Sequence, residues 1–443
     1  MKTIQRKIPI NDTYLAEFFC HPEDVKQTTS GHDAPSSSTL CVEDFLTTDL
    51  FPVSLDQVLF FDIETTGLSP RASSIYLIGT LYYDVSLQQF IMTQWFADNS
   101  KSEPLMLSHF LEQLESFAML CHFNGRTFDI PYVLQKCEKH QIVPSAHCQA
   151  IFADQEQQLS YDMLIALRPL KKLLGLSRCN QTSLEAYAGI IRTDQYDGGR
   201  LIPIYSAYRQ DLLLHPEQAA EKEHLLLLHN DEDLLGMLAV MALLSYRHLF
   251  TRKGEPLPAL TGLQITCCDS AYLQKQCPDV TVCTASEYCA ISFAPEIPVP
   301  LTGWFCCSYD DEELHDTCLL SLEQTSGTLW IPMIQTKLKY FMKDYKHYYY
   351  LPEEDTAVHE SVASFVDKEH RKKATAATCY LKKEGSFLPS LCAITSSENT
   401  YVFRQDYKAK QCYLAVPEGD AELSFFLGNQ LASFLQKGIS LSE

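Results

Sequence analysis

The sequence predicts an α/β fold in which helices flank a mixed sheet, followed by a separate C-terminal α+β module. Two observations carry this prediction. Three strand-like runs follow one another at residues 58–64, 75–84 and 90–96, and strands then mix with helices, which is the order of a mixed sheet. After about residue 250, a cluster of glycines and prolines precedes short strand-like runs, which indicates a second module.

Local patterns define the elements of the first module. The strand at 58–64 opens with four apolar or aromatic residues, and Thr65, Thr66 and Gly67 end it with a turn. The sequence then predicts a helix at about 104–117, a strand at 119–124, a helix at 131–140, and helices through 161–247 that end in a long apolar-faced stretch at 217–246.

The chain of 443 residues is long enough for two or three domains. We expect an N-terminal extension and linker at 1–54, an α/β domain at 55–250, and a C-terminal α+β accessory domain at 251–443. The polar run at 32–38 is a linker signature. In the C-terminal domain, whose role no motif indicates, we expect strands at 287–293, 302–309 and 328–333 and a charged helix at about 355–374.

Composition favours a cytoplasmic globular protein. Apolar residues make up 46% and charged residues 21% of the chain, as in ordinary soluble domains. We expect neither a signal peptide nor a membrane span, because no apolar run of sufficient length is present. The 17 cysteines are odd in number and include no CxxC pair, which fits buried thiols in a reducing compartment better than disulfides.

The net charge of −21 argues against indiscriminate nucleic-acid binding, which usually shows a basic footprint. It does not exclude a site that cleaves phosphodiesters, because metal ions can supply local positive charge. We therefore expect weak, salt-sensitive binding of such a substrate.

Two acids, Asp62 and Glu64, stand at the end of the apolar strand at 58–64. Side chains alternate along a strand, so both carboxylates point to the same side and repel each other. A cation would neutralise them, and all-oxygen ligation favours Mg²⁺ or Mn²⁺ over zinc. The alternative is an exposed edge strand with chance acids, which this pair alone would favour.

Two further segments add polar groups. Asp129 lies just after a predicted strand and before a helix, whereas His229 and Asp233 are four residues apart on one helix face. An imidazole one turn from a carboxylate suits a water-activating group beside a metal ligand. The alternatives are a simple turn around Asn124 and Gly125, and the solvated face of an amphipathic helix.

Together these motifs resemble the DEDD exonuclease superfamily of ribonuclease H-like folds, and specifically its YprB-like branch. The resemblance covers residues 55–247 and includes the blocks FFDIETTGL, NGRTFDIPY, SLEAYAGI and HNDEDLLGM. It implies a ribonuclease H-like mixed sheet with flanking helices. Carried over by position, Asp62 and Glu64 match the first motif, Asp129 the second and Asp233 the third.

The resemblance implies 3′–5′ exonucleolytic hydrolysis of DNA or RNA with two Mg²⁺ or Mn²⁺ ions. Asp62 would bridge the ions, Glu64 and Asp233 would complete the nucleophile side, and Asp129 would hold the second ion. His229 would accept a proton from the attacking water or orient it. The better-known subgroups carry tyrosine four residues before the last Asp or histidine five before it, whereas here histidine takes the tyrosine spacing.

Other residues have weaker signals. Thr65, Thr66 and Asn124 are candidate substrate contacts, with turn and capping roles as the alternatives. Asp162 is expected to be a helix N-cap rather than a further ligand. Lysines and tyrosines at 337–350, with basic residues at 368–383, suit either single-strand binding or a tyrosine-rich core.

Two other functions stay open at this point. Related acidic clusters occur in structure-selective endonucleases, and a decayed nuclease fold could serve as a non-catalytic nucleic-acid-binding scaffold. The four acids speak against the scaffold, since a decayed site has no physical reason to keep mutually repelling carboxylates. The sequence indicates a nucleic-acid substrate, no membrane and no particular protein partner.

Overall fold

The protein divides into two compact units in the computed structural model. Unit 1 comprises Met1–Lys171 and Leu176–Arg247, and unit 2 comprises Lys172–Gly175 and His248–Glu443. The linker signature predicted at 32–38 lies outside the described residues. The structure describes residues 1–9, 50–99, 101–190, 192–250, 260–276, 287–300, 303–309, 317–394, 401–417 and 419–441.

A six-stranded mixed sheet forms the centre of unit 1, in the order β1-β4-β3-β2-β5-β6. The pairs from β1 through β4 and β3 to β2 are antiparallel, whereas β2-β5 and β5-β6 are parallel. The predicted mixed sheet is therefore confirmed. The strands are β1 (Lys2–Pro9), β2 (Val58–Thr65), β3 (Ile75–Asp84), β4 (Gln89–Phe96), β5 (Met119–His122) and β6 (Ser160–Asp162).

Helices pack against this sheet, as predicted. A core of buried side chains joins β2, β3 and β4 to the first two helices, and Phe61 stacks on Phe110 with ring centroids 4.4 Å apart. The helices are α1 (Glu103–Leu114), α2 (Asp129–His140), α3 (Ala146–Ala153), α4 (Met163–Leu167), α5 (Gln181–Tyr187), α6 (Gly198–Leu214), α7 (Pro216–Met241) and α8 (Ser245–Leu249).

The predicted N-terminal extension at 1–54 needs a correction at residues 2–9. These residues form β1, which pairs with β4 along its whole length, from Lys2 opposite Phe96 to Pro9 opposite Gln89. The physical reason is that β4 would otherwise leave a free row of backbone hydrogen-bonding groups at the sheet edge. The side chain of Arg6 also forms an ion pair with Asp231 of α7.

Strand β2 lies inside the sheet, between β3 and β5. Asp62 pairs with Gly79 and Glu64 with Leu77 of β3, so the alternative of an exposed edge strand is wrong. Strand β5 pairs only with the first part of β2, up to Phe60. The two acids therefore extend beyond the carboxyl end of β5, where the following loop leads into α2.

Unit 2 has α+β architecture, with a nine-stranded and a three-stranded sheet. The strands predicted at 287–293 and 328–333 are confirmed, and the one at 302–309 is observed at Gly303–Ser308. Its strands are β7 (Thr261–Asp269), β8 (Glu287–Ala294), β9 (Gly303–Ser308), β10 (Thr317–Leu322), β11 (Gly327–Phe341), β12 (Tyr348–Leu351), β13 (Thr356–His359), β14 (Lys372–Lys373), β15 (Tyr380–Pro389), β16 (Phe403–Arg404), β17 (Tyr413–Ala415) and β18 (Ile439–Ser440), and its helices are α9 (Ser270–Gln276), α10 (Glu360–Ala363) and α11 (Asp420–Lys437).

The charged helix predicted at about 355–374 is wrong. This segment contains β13, the single-turn helix α10 and β14. The physical reason is tertiary pairing, since β13 and β14 both pair with the tyrosine-rich strand β12. Such pairing overrides the helical preference of an isolated charged stretch.

The described residues also bear on the predictions about membrane spans and cysteines. Among the described residues, no helix is both long and apolar enough to cross a membrane. The described cysteines are all free thiols, and many are buried.

Candidate metal centre

The structure brings together the side chains that the sequence singles out. Asp62 and Glu64 come from β2, Asp129 from the first turn of α2, and His229 and Asp233 from α7. One ligand atom each from Glu64, His229 and Asp233 lies within 4.8 Å of the others. Three separate segments thus converge at one end of the parallel strands.

Asp129 is tied to the strand that carries the first two acids. The backbone N–H of Ile63 donates a hydrogen bond of 3.2 Å to Oδ1 of Asp129. Since Ile63 lies between Asp62 and Glu64, this bond sets the distance of α2 from both acids. The Asp129 side chain is buried, with 5% of the residue exposed.

A carboxamide holds Asp62. Nδ2 of Asn230 donates a hydrogen bond of 2.8 Å to Oδ2 of Asp62, and Nε2 of Gln94 donates one of 2.9 Å to Oδ1 of Asn230. Gly79, directly opposite Asp62, leaves space for this carboxamide, because a methyl group at Gly79 would overlap it. The glycine thus lets α7 approach the sheet closely.

Burial and mutual repulsion raise the pKa values of three of the acids. Burial raises the pKa of Asp62 well above its ordinary value, and the charges of Asp233 and Asp129 raise it further. Burial also raises the pKa of Glu64 to about 8, against the opposing effect of His229. The pKa of Asp129 rises to about 7, again mainly through burial. The cluster resists full ionisation at neutral pH unless positive charge enters it.

His229 is buried between acids on two sides. Its Nδ1 lies within hydrogen-bond distance of the Asp194 carboxylate, while Nε2 lies 3.5 Å from Oε1 of Glu64 and 3.3 Å from Oδ2 of Asp233. Burial lowers the pKa of His229, but the surrounding carboxylates, that of Asp233 first, outweigh it and raise the pKa overall.

A half-buried arginine positions Asp233. Nη1 of Arg192 lies 2.6 Å from Oδ1 of Asp233, and Glu185 accepts two hydrogen bonds of 2.6 and 2.7 Å from the same guanidinium group. Nε2 of Gln181 donates to the backbone carbonyl of Asp233 over 2.7 Å. The carboxylate of Asp233 therefore has a fixed direction.

Helix α7 buries the motif at 229–233. His229, Asn230, Asp231 and Glu232 are all buried, so the alternative of a solvated helix face is wrong. Three of these side chains have specific partners. Asn230 donates to Asp62, Asp231 pairs with Arg6, and Glu232 accepts from the backbone N–H groups of residues 193 and 194.

The weaker candidates lie in the turns that the sequence also indicates. Oγ1 of Thr65 donates to the Gly67 carbonyl, and Oγ1 of Thr66 accepts from the backbone N–H of Ser74. Asn124 has a φ of 64° and accepts a hydrogen bond of 2.8 Å from Thr127. These contacts are those of turn and capping residues, and substrate binding by Thr65, Thr66 and Asn124 stays a prediction.

Asp162 is the N-cap of α4, as predicted. Its carboxylate accepts from the backbone N–H groups of Leu164 and Ile165. It also accepts from those of Asn124 and Arg126, so it fixes the loop that leads to Asp129.

The sequence analysis did not identify several residues that position the site. Gly79 interrupts the apolar strand β3, and a glycine inside a strand is a signal of close backbone approach. Asn230 stands inside the HNDED block and could have been found there. Arg192 and Asp194 lie between α5 and α6 without any periodic pattern, so no local signal marks them.

The donor set fits hard divalent cations. Four carboxylates supply oxygen ligands, and burial together with mutual repulsion raises the pKa values of Asp62, Glu64 and Asp129. Oxygen-rich sites of this kind suit Mg²⁺ or Mn²⁺. His229 adds one imidazole nitrogen, which Mn²⁺ accepts more readily than Mg²⁺.

Comparison with known proteins agrees with this fold. Residues 59–245 match the family model of the RNase_H superfamily. The match covers β2 to β6 and the helices that carry the site, which is less than half of the chain. A search of curated proteins returned no significant match.

Some solved structures show a distant likeness. Zinc-bound E. coli exonuclease I with single-stranded DNA is 12% identical, with a TM-score of 0.24 over 54% of this chain and 54% of that chain. The family B DNA polymerase from Pyrobaculum calidifontis is 13% identical, with a TM-score of 0.27 over 52% of this chain and 38% of that chain. The chain spans about half the length of this exonuclease I. At this identity and TM-score, the likenesses carry no argument about activity.

The strand order and the family match together confirm the predicted ribonuclease H-like fold. Neither finding reaches the YprB-like branch, which stays a prediction. Residues 59–245 therefore have a ribonuclease H-like fold and are similar to the RNase_H superfamily, whose family model they match.

Proposed function

We propose that this protein is a metal-dependent nuclease that hydrolyses phosphodiester bonds of DNA or RNA, with 3′–5′ exonucleolytic polarity. The observation that carries the proposal is the convergence of four mutually repelling carboxylates from β2, α2 and α7, two of which, Glu64 and Asp233, lie beside the His229 imidazole. Groups that repel one another so strongly need a cation, and phosphodiester hydrolysis is a reaction that such cations support.

The proposal gives each side chain a role. Asp62, at the centre of the repulsion, would help to hold both of two Mg²⁺ or Mn²⁺ ions, Glu64 and Asp233 would complete the site on the nucleophile side, and Asp129 would hold the ion on the leaving-group side. When bound, the ions supply positive charge to the phosphate and lower the pKa of water. Nε2 of His229 accepts a proton from the attacking water or orients it.

Polarity rests on the family resemblance alone. An end-labelled oligonucleotide should yield a ladder of single-nucleotide steps from the 3′ end. Internal cuts at branch points or flaps would instead indicate a structure-selective endonuclease. Binding without cleavage under every metal condition would indicate a non-catalytic scaffold.

The decisive variant is Asp62→Ala, assayed with single- and double-stranded DNA and RNA in Mg²⁺ and in Mn²⁺. We expect cleavage to fall by about three orders of magnitude or more, equivalent to about 4 kcal/mol of transition-state stabilisation, because the bridging ligand is lost. Asp84→Ala is the matched control, since this acid lies at the far end of β3 and accepts hydrogen bonds from Ser86 and Leu87 in the turn that follows. Undiminished cleavage by Asp62→Ala would remove the proposal.

No role is proposed for unit 2. Its basic residues contact rings of the same unit: Nζ of Lys373 lies 4.4 Å from the centre of the Tyr349 ring, and Nζ of Lys339 lies 4.5 Å from that of Tyr380. These contacts agree with the alternative of a tyrosine-rich core. Single-strand binding by this unit and the cytoplasmic location both stay predictions.

A further inference from the structure

Asp194 is a buried carboxylate that no motif accounts for. It lies between α5 and α6, is 8% exposed, and accepts a hydrogen bond from Nδ1 of His229. Its other oxygen accepts from the backbone N–H of Tyr196 over 3.1 Å. Both oxygens therefore act as acceptors, and one of them points at the imidazole.

Glu232 holds this loop in place. Its two carboxylate oxygens accept from the backbone N–H groups of Thr193 and Asp194, each over 2.9 Å. The Glu232 side chain is itself buried, with 1% of the residue exposed. Because Glu232 and His229 belong to the same helix, α7, the imidazole and its acceptor are fixed to one rigid element.

This arrangement selects one form of the imidazole. A neutral ring carries a single N–H, and the contact with Asp194 is shorter than those with Glu64 and Asp233. The carboxylate of Asp194 can only accept, so this contact favours the hydrogen on Nδ1 and leaves the lone pair of Nε2 toward the acidic cluster. A lone pair at this position can accept a proton or bind a cation, whereas an N–H could do neither.

We propose that Asp194 is a positioning residue that holds His229 in the Nδ1–H tautomer, so that Nε2 is the working nitrogen of the site. A carboxylate behind a histidine sets the ring orientation in the same way in many metal sites. The kinetic part of the proposal rests on the proposed nuclease function, whereas the tautomer itself does not.

The test variant is Asp194→Asn, which preserves shape. The carboxamide can turn its NH₂ group toward Nδ1 and favour the opposite tautomer. We expect kcat to fall about 10- to 100-fold while KM changes less than about twofold, because Asp194 is buried beside His229. A general loss of folding would lower the active fraction, and a thermal unfolding curve of Asp194→Asn would reveal it.

The second readout is the ¹⁵N spectrum of histidine-labelled, metal-free protein at a pH where the ring is neutral. The His229 signals are assigned by their loss in His229→Gln. We expect protonated Nδ1 in the wild type and a shift of the proton to Nε2 in Asp194→Asn. Because the wild-type spectrum alone shows the tautomer, the proposal can be tested even if Asp194→Asn does not fold.

Asp231→Asn is the matched control. This acid is also buried and lies on α7, but its ion pair is with Arg6. We expect it to leave kcat and the His229 tautomer unchanged. A wild-type ring protonated at Nε2, or unchanged kcat and tautomer in Asp194→Asn, would overturn the proposal. Absence of any cleavage by the wild type would count against the nuclease function and leave the tautomer result to decide the role of Asp194.

Discussion

Asp62→Asn is expected to make the metal-free protein more stable and, at the same time, to remove most of the stabilisation that Mn²⁺ gives the wild type. The substitution keeps the shape and can still accept the hydrogen bond from Asn230. It removes the carboxylate that repels Asp129, Glu64 and Asp233. Functional sites commonly carry such a cost in stability.

The stability of the metal-free protein is expected to fall as pH rises. Burial raises the pKa of Glu64 from 4.5 to about 8 and that of Asp129 from 3.8 to about 7. Between the unfolded and the folded pKa values the native state binds more protons than the unfolded state. The metal-free protein therefore loses stability as pH rises through that window. Mn²⁺ should reverse the loss at the alkaline end, because it binds only the folded site.

Thermal or urea unfolding at about pH 5 and about pH 8, with and without Mn²⁺, checks this prediction. At the higher pH we expect metal-free Asp62→Asn to exceed the wild type by on the order of 1 kcal/mol. Asp84→Asn, which removes an acid at the far end of β3, should leave the stabilisation by Mn²⁺ unchanged. Equal Mn²⁺ stabilisation of the wild type and Asp62→Asn would show that the four acids do not bind the ion.

Gly79→Ala is expected to lower activity about 10- to 100-fold and to destabilise the protein by about 2 kcal/mol. The added methyl group overlaps the carboxamide of Asn230. That side chain must then move and give up its bonds to Asp62 and Gln94. Asp62 would keep its charge but lose its orientation.

A double-mutant cycle identifies the cause. Asn230→Ala should lower activity to a similar degree, because it removes the same hydrogen bond to Asp62. The double variant Gly79→Ala with Asn230→Ala should match Asn230→Ala alone, since the overlapping atoms are gone. Fully additive losses, measured as kcat/KM and as free energy of unfolding, would refute the steric explanation.

The side chains of the site could be named from the sequence because each belongs to a short motif with a local geometry. Asp62 and Glu64 alternate on one strand, and His229 and Asp233 are one helical turn apart. Their chain order then suggests the family. Convergence itself depends on long-range packing, which no local pattern describes.

The groups that hold those side chains were not predictable in the same way. Asp194 meets His229 across 35 residues of sequence, and it lies in a loop without periodicity. The N-terminal strand β1 was not predicted for a related reason. Lys2, Arg6 and Lys7 give this segment a polar composition, and only its pairing with β4 makes it part of the sheet. In unit 2, the charged segment at about 355–374 is not the predicted helix, because β13 and β14 within it pair with β12.

The central claim is that four carboxylates and His229 form a two-metal site. Anomalous diffraction from crystals grown with Mn²⁺ tests it most directly, because the signal locates the ions without reference to activity. We expect two peaks about 3.5–4 Å apart, with Asp62 between them, Glu64 and Asp233 at one, and Asp129 at the other. Saturating Mn²⁺ without a peak among these carboxylates would contradict the account.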